Sequence, residues 1–423
     1  MNKAPFASSR GFRLSPKGEA MADFELIREL SQQNTSKIVL LVLDGLGGLP
    51  LNPGGHSALE AAKTPHLDRL AGEGSLGQFV SIRPGITPGS GPAHLALFGY
   101  DPLEYEVGRG VLEATGIGME IGIEDVAARG NFCTLDSRGN ITDRRAGRIS
   151  SDEAIPLVQK LDGIELPDVS LDVRHVREYR FAAVMRGADL NPEIADTDPQ
   201  ATGVPPLSAR ADKPSADKTA EHFNRWIERA GELLSDEKKA NGLTLRGFSS
   251  DPQLPQFTEI YGLRSACIAV YPMYRGVSRL VGMDVIPFDG DSPVQEFEAA
   301  EKHWDAFDFF FIHIKKTDSS GEDGDITKKS KVIEDVDKAL PTLLNLNPDV
   351  LAVTGDHSTP AKLKTHSWHP VPFLLWAPDT VRMDSQDTFG ERSCQLGGLG
   401  TFPATDIMPL LMAHAKRLRK FGA

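Results

Sequence analysis

Thiols are scarce in this sequence: three cysteines, Cys133, Cys267 and Cys394, stand far apart in 423 residues, and none forms a CxxC pair. That argues against a disulfide framework or a structural zinc knot, and it suits a reducing, cytoplasmic compartment. Long apolar runs are missing too. None approaches the roughly eighteen consecutive residues of a membrane helix, so no membrane partner is expected. Basic excess is also absent: 46 Lys and Arg stand against 59 Asp and Glu, a net charge of −13. With no long basic run, a nucleic-acid partner is not expected either. An anionic small-molecule substrate would need local arginines or metal ions to overcome that field.

Several catalytic templates fail. No GK[ST] follows a glycine loop, no HExxH occurs, and no Arg-His-Gly motif supports phosphohistidine chemistry. Asp318 to Lys329 imitates a calcium loop, but Asp323 occupies the glycine position and Lys329 the place of the bidentate glutamate. The composition that remains, 40% hydrophobic and 25% charged, is that of an ordinary globular protein, and the length suggests two domains. Met1 to Ala20 has no acid before Glu19 and no apolar core. It is expected to be a disordered extension or the product of an upstream start, with Met21 as the functional start and a transit segment as the alternative.

What is present repeats itself. Three short, nearly uninterrupted apolar runs, Lys37 to Leu43, Phe307 to Ile314 and Asp349 to Val353, are each followed by a carboxylate: Asp44, Asp318 and Asp356, the last with His357 beside it. Such runs predict strands buried on both faces of a parallel sheet, whose carboxyl ends are where ligands collect. One acid past a strand can be a turn residue or a helix cap. Three of them, one beside a histidine and none near a thiol, point to a site for Mn²⁺, Mg²⁺ or Zn²⁺. His366 and His369 follow in a proline-rich loop, and either can supply a further ligand.

Ser90 lies between glycines and prolines ahead of a helical stretch, where backbone amides favour an anion. The motif is not a GxSxG elbow, since Pro88 intervenes, and Ser90 could instead cap the helix.

Together, Val42 to Gly45, Thr64 to Asp68, Gly89-Ser90 with Ala93 to Pro102, Asn131-Phe132, Asp143 to Arg148, Asp196 to Pro199 and Gly282 to Val285 carry a family pattern. The sequence resembles the archaeal-type cofactor-independent phosphoglycerate mutases, whose metal motifs are shared with the wider alkaline phosphatase-like superfamily. The resemblance runs from about Ile38 to the C-terminal region. It implies an α/β fold: an alkaline phosphatase-like core with a mostly parallel sheet flanked by helices, plus an inserted α+β cap. The expected division is 1–35 extension, 36–120 and 262–423 core, and 121–261 cap. The cap should contain strands at Tyr179 to Met185 and Leu243 to Arg246, a helix near Ala220 to Leu234, and a loop over Thr197 to Lys218.

By resemblance, one metal would be held by Asp44, Ser90, Asp356 and His357, and the other by Asp318, Glu322 and His366. Manganese is the first candidate, with magnesium or zinc as alternatives. Glu322 stands where many superfamily members have histidine, and Tyr179 stands where many relatives do. The implied reaction interconverts 3-phosphoglycerate and 2-phosphoglycerate through phosphorylated Ser90, with no 2,3-bisphosphoglycerate. Arg129, Arg144, Arg145, Arg148 and Arg180 are the candidates for gripping phosphate or carboxylate. The alternatives are a phosphatase or another phosphomutase on the same core, or a non-catalytic metal-binding scaffold.

Overall fold

The computed structural model describes residues 24–422, so the expectations for Met1 to Ala20 and for Met21 fall outside the described residues. The chain opens its main sheet with β1 (Ile38–Leu43) and β2 (Ser75–Val80). It then leaves for β3 (Val126–Leu135), β4 (Ile141–Asp143), β5 (Val169–Arg177), β6 (Arg180–Gly187), β7 (Ile194–Ala195), β8 (Arg210–Ala211) and β9 (Gly242–Ser249). It returns with β10 (Ser265–Ala269), β11 (Asp284–Val285), β12 (Phe309–Ile314), β13 (Val350–Thr354), β14 (Val371–Trp376) and β15 (Gly400–Pro403).

The main sheet has eight strands in the order β11-β10-β12-β1-β13-β14-β2-β15. Strand β14 runs against both neighbours, and the other pairings are parallel. All six residues of β1 are buried, and alternate ones serve opposite faces. Ile38, Leu40 and Val42 pack with helices Ser90–Leu97 and Ile407–His414 through Leu95, Met408 and Leu411. Val39, Leu41 and Leu43 pack with helices Pro65–Glu73 and Ile326–Leu344 through Leu67, Ile333 and Leu340. Two-sided burial, at roughly 1.5–3 kcal/mol per large aliphatic side chain, is why these strands contain no polar alternation.

Of the strands after β2 and before β10, five build a separate antiparallel sheet in which β5, β6, β3 and β9 pair in turn, with β4 on the end of β3, and β7 and β8 pair with each other. Helices Ser151–Asp162 and Asp217–Leu234 cover one face through Leu157, Val158, Phe223 and Trp226. Helix Arg109–Gly116 lies between the other face and helix Pro272–Leu280. Its close approach depends on glycine: a Cβ on Gly110 would stand 2.3 Å from the Ala127 carbonyl, and one on Gly276 2.3 Å from that of Leu112.

Two segments sit differently from the expected division. From residue 24 onward the stretch expected as an extension is packed, with helix Phe24–Leu30 placing Phe24 against Tyr100 and burying Ile27. Leu254, Phe257, Ile260 and Tyr261, numbered with the cap, lie in the same apolar cluster as β1.

Candidate active site

Register brings the sequence-predicted acids together. Leu43 pairs with Ile314 and Val42 with Thr354, so the loops after β1, β12 and β13 leave one edge side by side. Asp44 follows β1 directly, and Gly45 turns the chain at φ 63°, where a Cβ would stand 2.5 Å from Thr359 Oγ1 and 2.9 Å from Asp318 Oδ1. Only glycine fits that approach. The Gly45 amide donates to Asp356 Oδ1 at 3.0 Å, and Thr359 Oγ1 donates to Asp318 Oδ1 at 2.8 Å while lying 3.0 Å from His357 Nδ1.

Two groups of ligand types result, Asp44 with Asp356 and His357, and Asp318 with His357 and His366, each with its donor atoms within 4.8 Å of one another. His357 belongs to both. His366 stacks on His357 with centroids 3.6 Å apart, and its Nδ1 sits 3.0 Å from the Pro88 carbonyl, which leaves Nε2 3.6 Å from Asp318 Oδ1. His369 instead lies 3.0 Å from Ser367 Oγ and stacks on Trp368. Glu322 sits at the rim: its side chain is 54% exposed, and Oε1 is 3.9 Å from His366 Nε2.

Ser90 is the first residue of its helix. The N-cap is Gly89, which makes no side-chain cap bond, and Ser90 Oγ lies 3.3 Å from His357 Nε2. The serine therefore faces the cluster of candidate metal ligands rather than standing at the N-cap.

The donor set suits divalent cations. Asp44 Oδ1 and Asp356 Oδ2 are buried and accept no hydrogen bond, yet His357 Nε2 stands 3.5 and 3.2 Å from them. Burial and the nearby Asp44 charge push the Asp356 carboxyl far up. Burial raises Asp44 as well, but Lys315, His313 and His357 outweigh it and hold that carboxyl well down. Burial keeps His357 neutral and pushes His94 down to about 3, so both imidazoles keep a lone pair.

Sequence reading missed several neighbours. Lys315 Nζ bridges Asp44 Oδ2 at 2.9 Å and Asp318 Oδ2 at 2.5 Å, and these two carboxylates raise its pKa despite its burial. His94 Nδ1 is 3.4 Å from Asp356 Oδ2, and His313 Nε2 is 3.5 Å from Asp44 Oδ2. The Tyr274 hydroxyl donates to Asp44 Oδ2. Signals existed for two of these: His94 lies one helical turn past Ser90, and His313 interrupts an apolar strand.

The five arginines separate. Arg129 on β3 and Arg180 on β6 are largely buried, and each keeps a buried Nε without a partner. Arg129 pairs with Glu113 at 3.4 Å, and Arg180 donates to the hydroxyls of Tyr271 and Tyr179, both at 3.3 Å. Arg144 is committed to Asp198 by two bonds of 3.1 and 2.7 Å. Arg145 and Arg148 are exposed on the turn after β4. A cavity of about 560 Å³ opens beside the cluster, lined in part by Arg177, Tyr271, Lys315 and Ser319.

Residues 71–240 match the family model described as 2,3-bisphosphoglycerate-independent phosphoglycerate mutase. A Thermus thermophilus protein named probable 2,3-bisphosphoglycerate-independent phosphoglycerate mutase is 50% identical over 404 residues, covering 95% of this chain and 99% of the relative. The chain belongs to that family. An Aquifex aeolicus relative with the same name is 49% identical over 408 residues, covering 94% of this chain and all of its own length (100%). Among solved structures, the cofactor-independent phosphoglycerate mutase of Thermoplasma acidophilum is 34% identical with a TM-score of 0.70, covering 90% of this chain and 100% of its own. A Pyrococcus horikoshii protein is 32% identical with a TM-score of 0.79, covering 92% and 100%. Membership in this family of phosphoglycerate mutases makes the chain an isomerase of the phosphotransferase type, in a family independent of 2,3-bisphosphoglycerate. No helix among the described residues is long and apolar enough to cross a membrane.

Proposed function

We propose that the chain interconverts 3-phosphoglycerate and 2-phosphoglycerate through a phosphoserine on Ser90, as a cytoplasmic step of glycolysis and gluconeogenesis. One observation carries the reading: Ser90 Oγ lies 3.3 Å from His357 Nε2, the side chain common to both candidate metal groups. Asp44, Ser90, Asp356 and His357 would hold one divalent cation, and Asp318, Glu322 and His366 the other. Mn²⁺ is the first candidate, and Mg²⁺ or Zn²⁺ the alternatives. When bound, the cations lower the pKa of the Ser90 hydroxyl and spread the charge of the phosphoryl group.

Ser90 Oγ gives up its proton and bonds to phosphorus while the bond from phosphorus to the substrate oxygen breaks, and the departing glycerate oxygen takes a proton. Glycerate reorients in place. Its other hydroxyl then attacks the phosphorus and loses its proton while the bond from phosphorus to Ser90 Oγ breaks, and the freed Ser90 Oγ takes up a proton again. The first amides of helix Ser90–Leu97 favour the anion at this point. Arg129 and Arg180 hold the substrate's charged groups through bidentate bonds. Arg144 is taken by Asp198 and contributes less. Within the segment 121–261, the part built on the second sheet, β3 to β6 with β9, acts as a cap that keeps water from the phosphoserine.

Phosphorus NMR of 3-phosphoglycerate with purified protein and Mn²⁺, without 2,3-bisphosphoglycerate, should show the 2-phosphoglycerate signal growing. Inorganic phosphate as the main product would favour a phosphatase. An unchanged spectrum would defeat the reading.

A further inference from the structure

Two tyrosines stand one helical turn apart where β10 gives way to the helix Pro272–Leu280: Tyr271 at its N-cap and Tyr274 in its first turn. A spacing of three places both rings on one side of that turn, and their centroids are 5.8 Å apart. Their hydroxyls have different partners. Tyr274, fully buried, donates to Asp44 Oδ2. Tyr271 accepts from Arg180 Nη1 at 3.3 Å. A single turn thus touches a carboxylate of the metal-ligand cluster in the main sheet and an arginine of the second sheet.

Each contact leaves its partner with one specific capacity. Asp44 Oδ2 receives Tyr274 and Lys315, so the unbonded oxygen is Oδ1, which lies 3.5 Å from His357 Nε2 within the first metal group. A phenol that holds one carboxylate oxygen aims the other. The ring cannot turn freely, because His313 stacks on it with centroids 3.6 Å apart. Arg180 is held by two neutral oxygens, those of Tyr271 and Tyr179, and its Nε stays unpartnered. Arg144, by contrast, spends its charge on a carboxylate. A guanidinium oriented by phenols keeps its full charge for an incoming anion.

We propose that Tyr271 and Tyr274 are positioning residues that form one strut: Tyr274 aims Asp44 at its metal, Tyr271 aims Arg180 at the substrate anion, and their shared turn sets the spacing between the two. The Tyr271 half rests on the mutase reading, and the Tyr274 half on the metal group alone.

Tyr274→Phe and Tyr271→Phe each remove one oxygen and keep the ring. By Mn²⁺ titration calorimetry, Tyr274→Phe should weaken binding about tenfold or more, and Tyr271→Phe should bind Mn²⁺ as the wild type does. For turnover at saturating Mn²⁺, Tyr271→Phe should raise KM for 3-phosphoglycerate on the order of fivefold, whereas Tyr274→Phe should leave KM near its wild-type value. Wild-type Mn²⁺ affinity in Tyr274→Phe, or an unchanged KM in Tyr271→Phe, would overturn the strut. So would a pair of variants that lower the melting temperature and move both readouts alike, because packing alone would do that. A wild-type protein without mutase turnover would defeat the functional reading and the Tyr271 half with it, while the Mn²⁺ titration would still decide Tyr274.

Discussion

Ser90 and Glu322 mark the two ends of what a single residue can contribute at this site. Ser90 Oγ faces His357 from the first position of a helix, and nothing in the fold requires its hydroxyl for packing. Ser90→Ala should therefore abolish isomer exchange, while the remaining ligands keep Mn²⁺ binding largely in place and the melting temperature stays near wild type. Exchange by the variant, or phosphate trapped elsewhere on the wild type, would remove the serine from the mechanism. Glu322 follows Asp318 by one turn of helix Lys316–Glu322 and so lies on the same side of it, with Oε1 3.9 Å from His366 Nε2. A carboxylate here makes a harder, more negative ligand set than a histidine would. Glu322→Ala is expected to weaken one of two Mn²⁺ sites and cut activity by tenfold or more, on the scale of lost ligand-shell partners. Glu322→His should keep part of the activity with a preference shifted toward Zn²⁺. Unchanged stoichiometry and preference in both variants would make Glu322 a solvated rim charge.

At the scale of elements, strand β6 and the turn after β4 present their arginines in two different ways. Arg180, held by tyrosine hydroxyls, should be functional: Arg180→Ala is expected to raise KM and lower kcat by tenfold or more in total, with little change in melting temperature. Arg144 makes two bonds to Asp198, whose carboxyl is held down by that pairing against its burial. Arg144→Ala should cost about 1–3 kcal/mol of stability by removing two charge-assisted bonds from a buried acid, which keeps the Gln200 amide at 2.8 Å and Arg246 at 3.6 Å, with kinetics of the surviving fold nearly intact. Chemical denaturation and steady-state kinetics on the two variants separate these roles, and a swapped outcome would reverse the assignment. Which elements were legible follows from the same physics. Strands β1, β12 and β13 read as nearly unbroken apolar runs because both faces are buried, and the acids beyond them were visible for that reason. The reversed direction of β14 was not, because hydrophobic pattern carries no strand direction. Nor was the role of Lys329, which in the sequence serves only to exclude a calcium loop. Its buried ammonium donates to the carbonyls of Gly45, Gly47 and Thr359 at 2.6, 3.1 and 2.9 Å and so joins the loops after β1 and β13. Tyr271 and Tyr274 gain their roles only from the residues that tertiary packing brings to them.

For the molecule as a whole, an excess of acids, 59 against 46 bases, makes stability sensitive to pH. The buried acids matter most, because exposed carboxylates titrate alike in the folded and unfolded chain. Glu296, on helix Pro293–Lys302, is 2% exposed and keeps a buried Oε2 without a partner. Burial pushes its carboxyl up to about 9, with Lys316 opposing only in part. The unfolded chain releases this proton near the ordinary glutamate value of about 4.3. Between those two values the folded state binds the extra proton, so stability falls as pH rises from about 4.3 and levels off once pH passes the folded value. Glu296→Gln keeps the shape of the side chain and never ionises, so it escapes that loss. The variant should melt close to the wild type at pH 5, and several degrees above it at pH 9. Calorimetric melts of both proteins at intervals across that range, at fixed Mn²⁺ and ionic strength, measure the gap. A gap that stays constant or narrows with pH would show that Glu296 is already ionised in the folded protein at neutral pH.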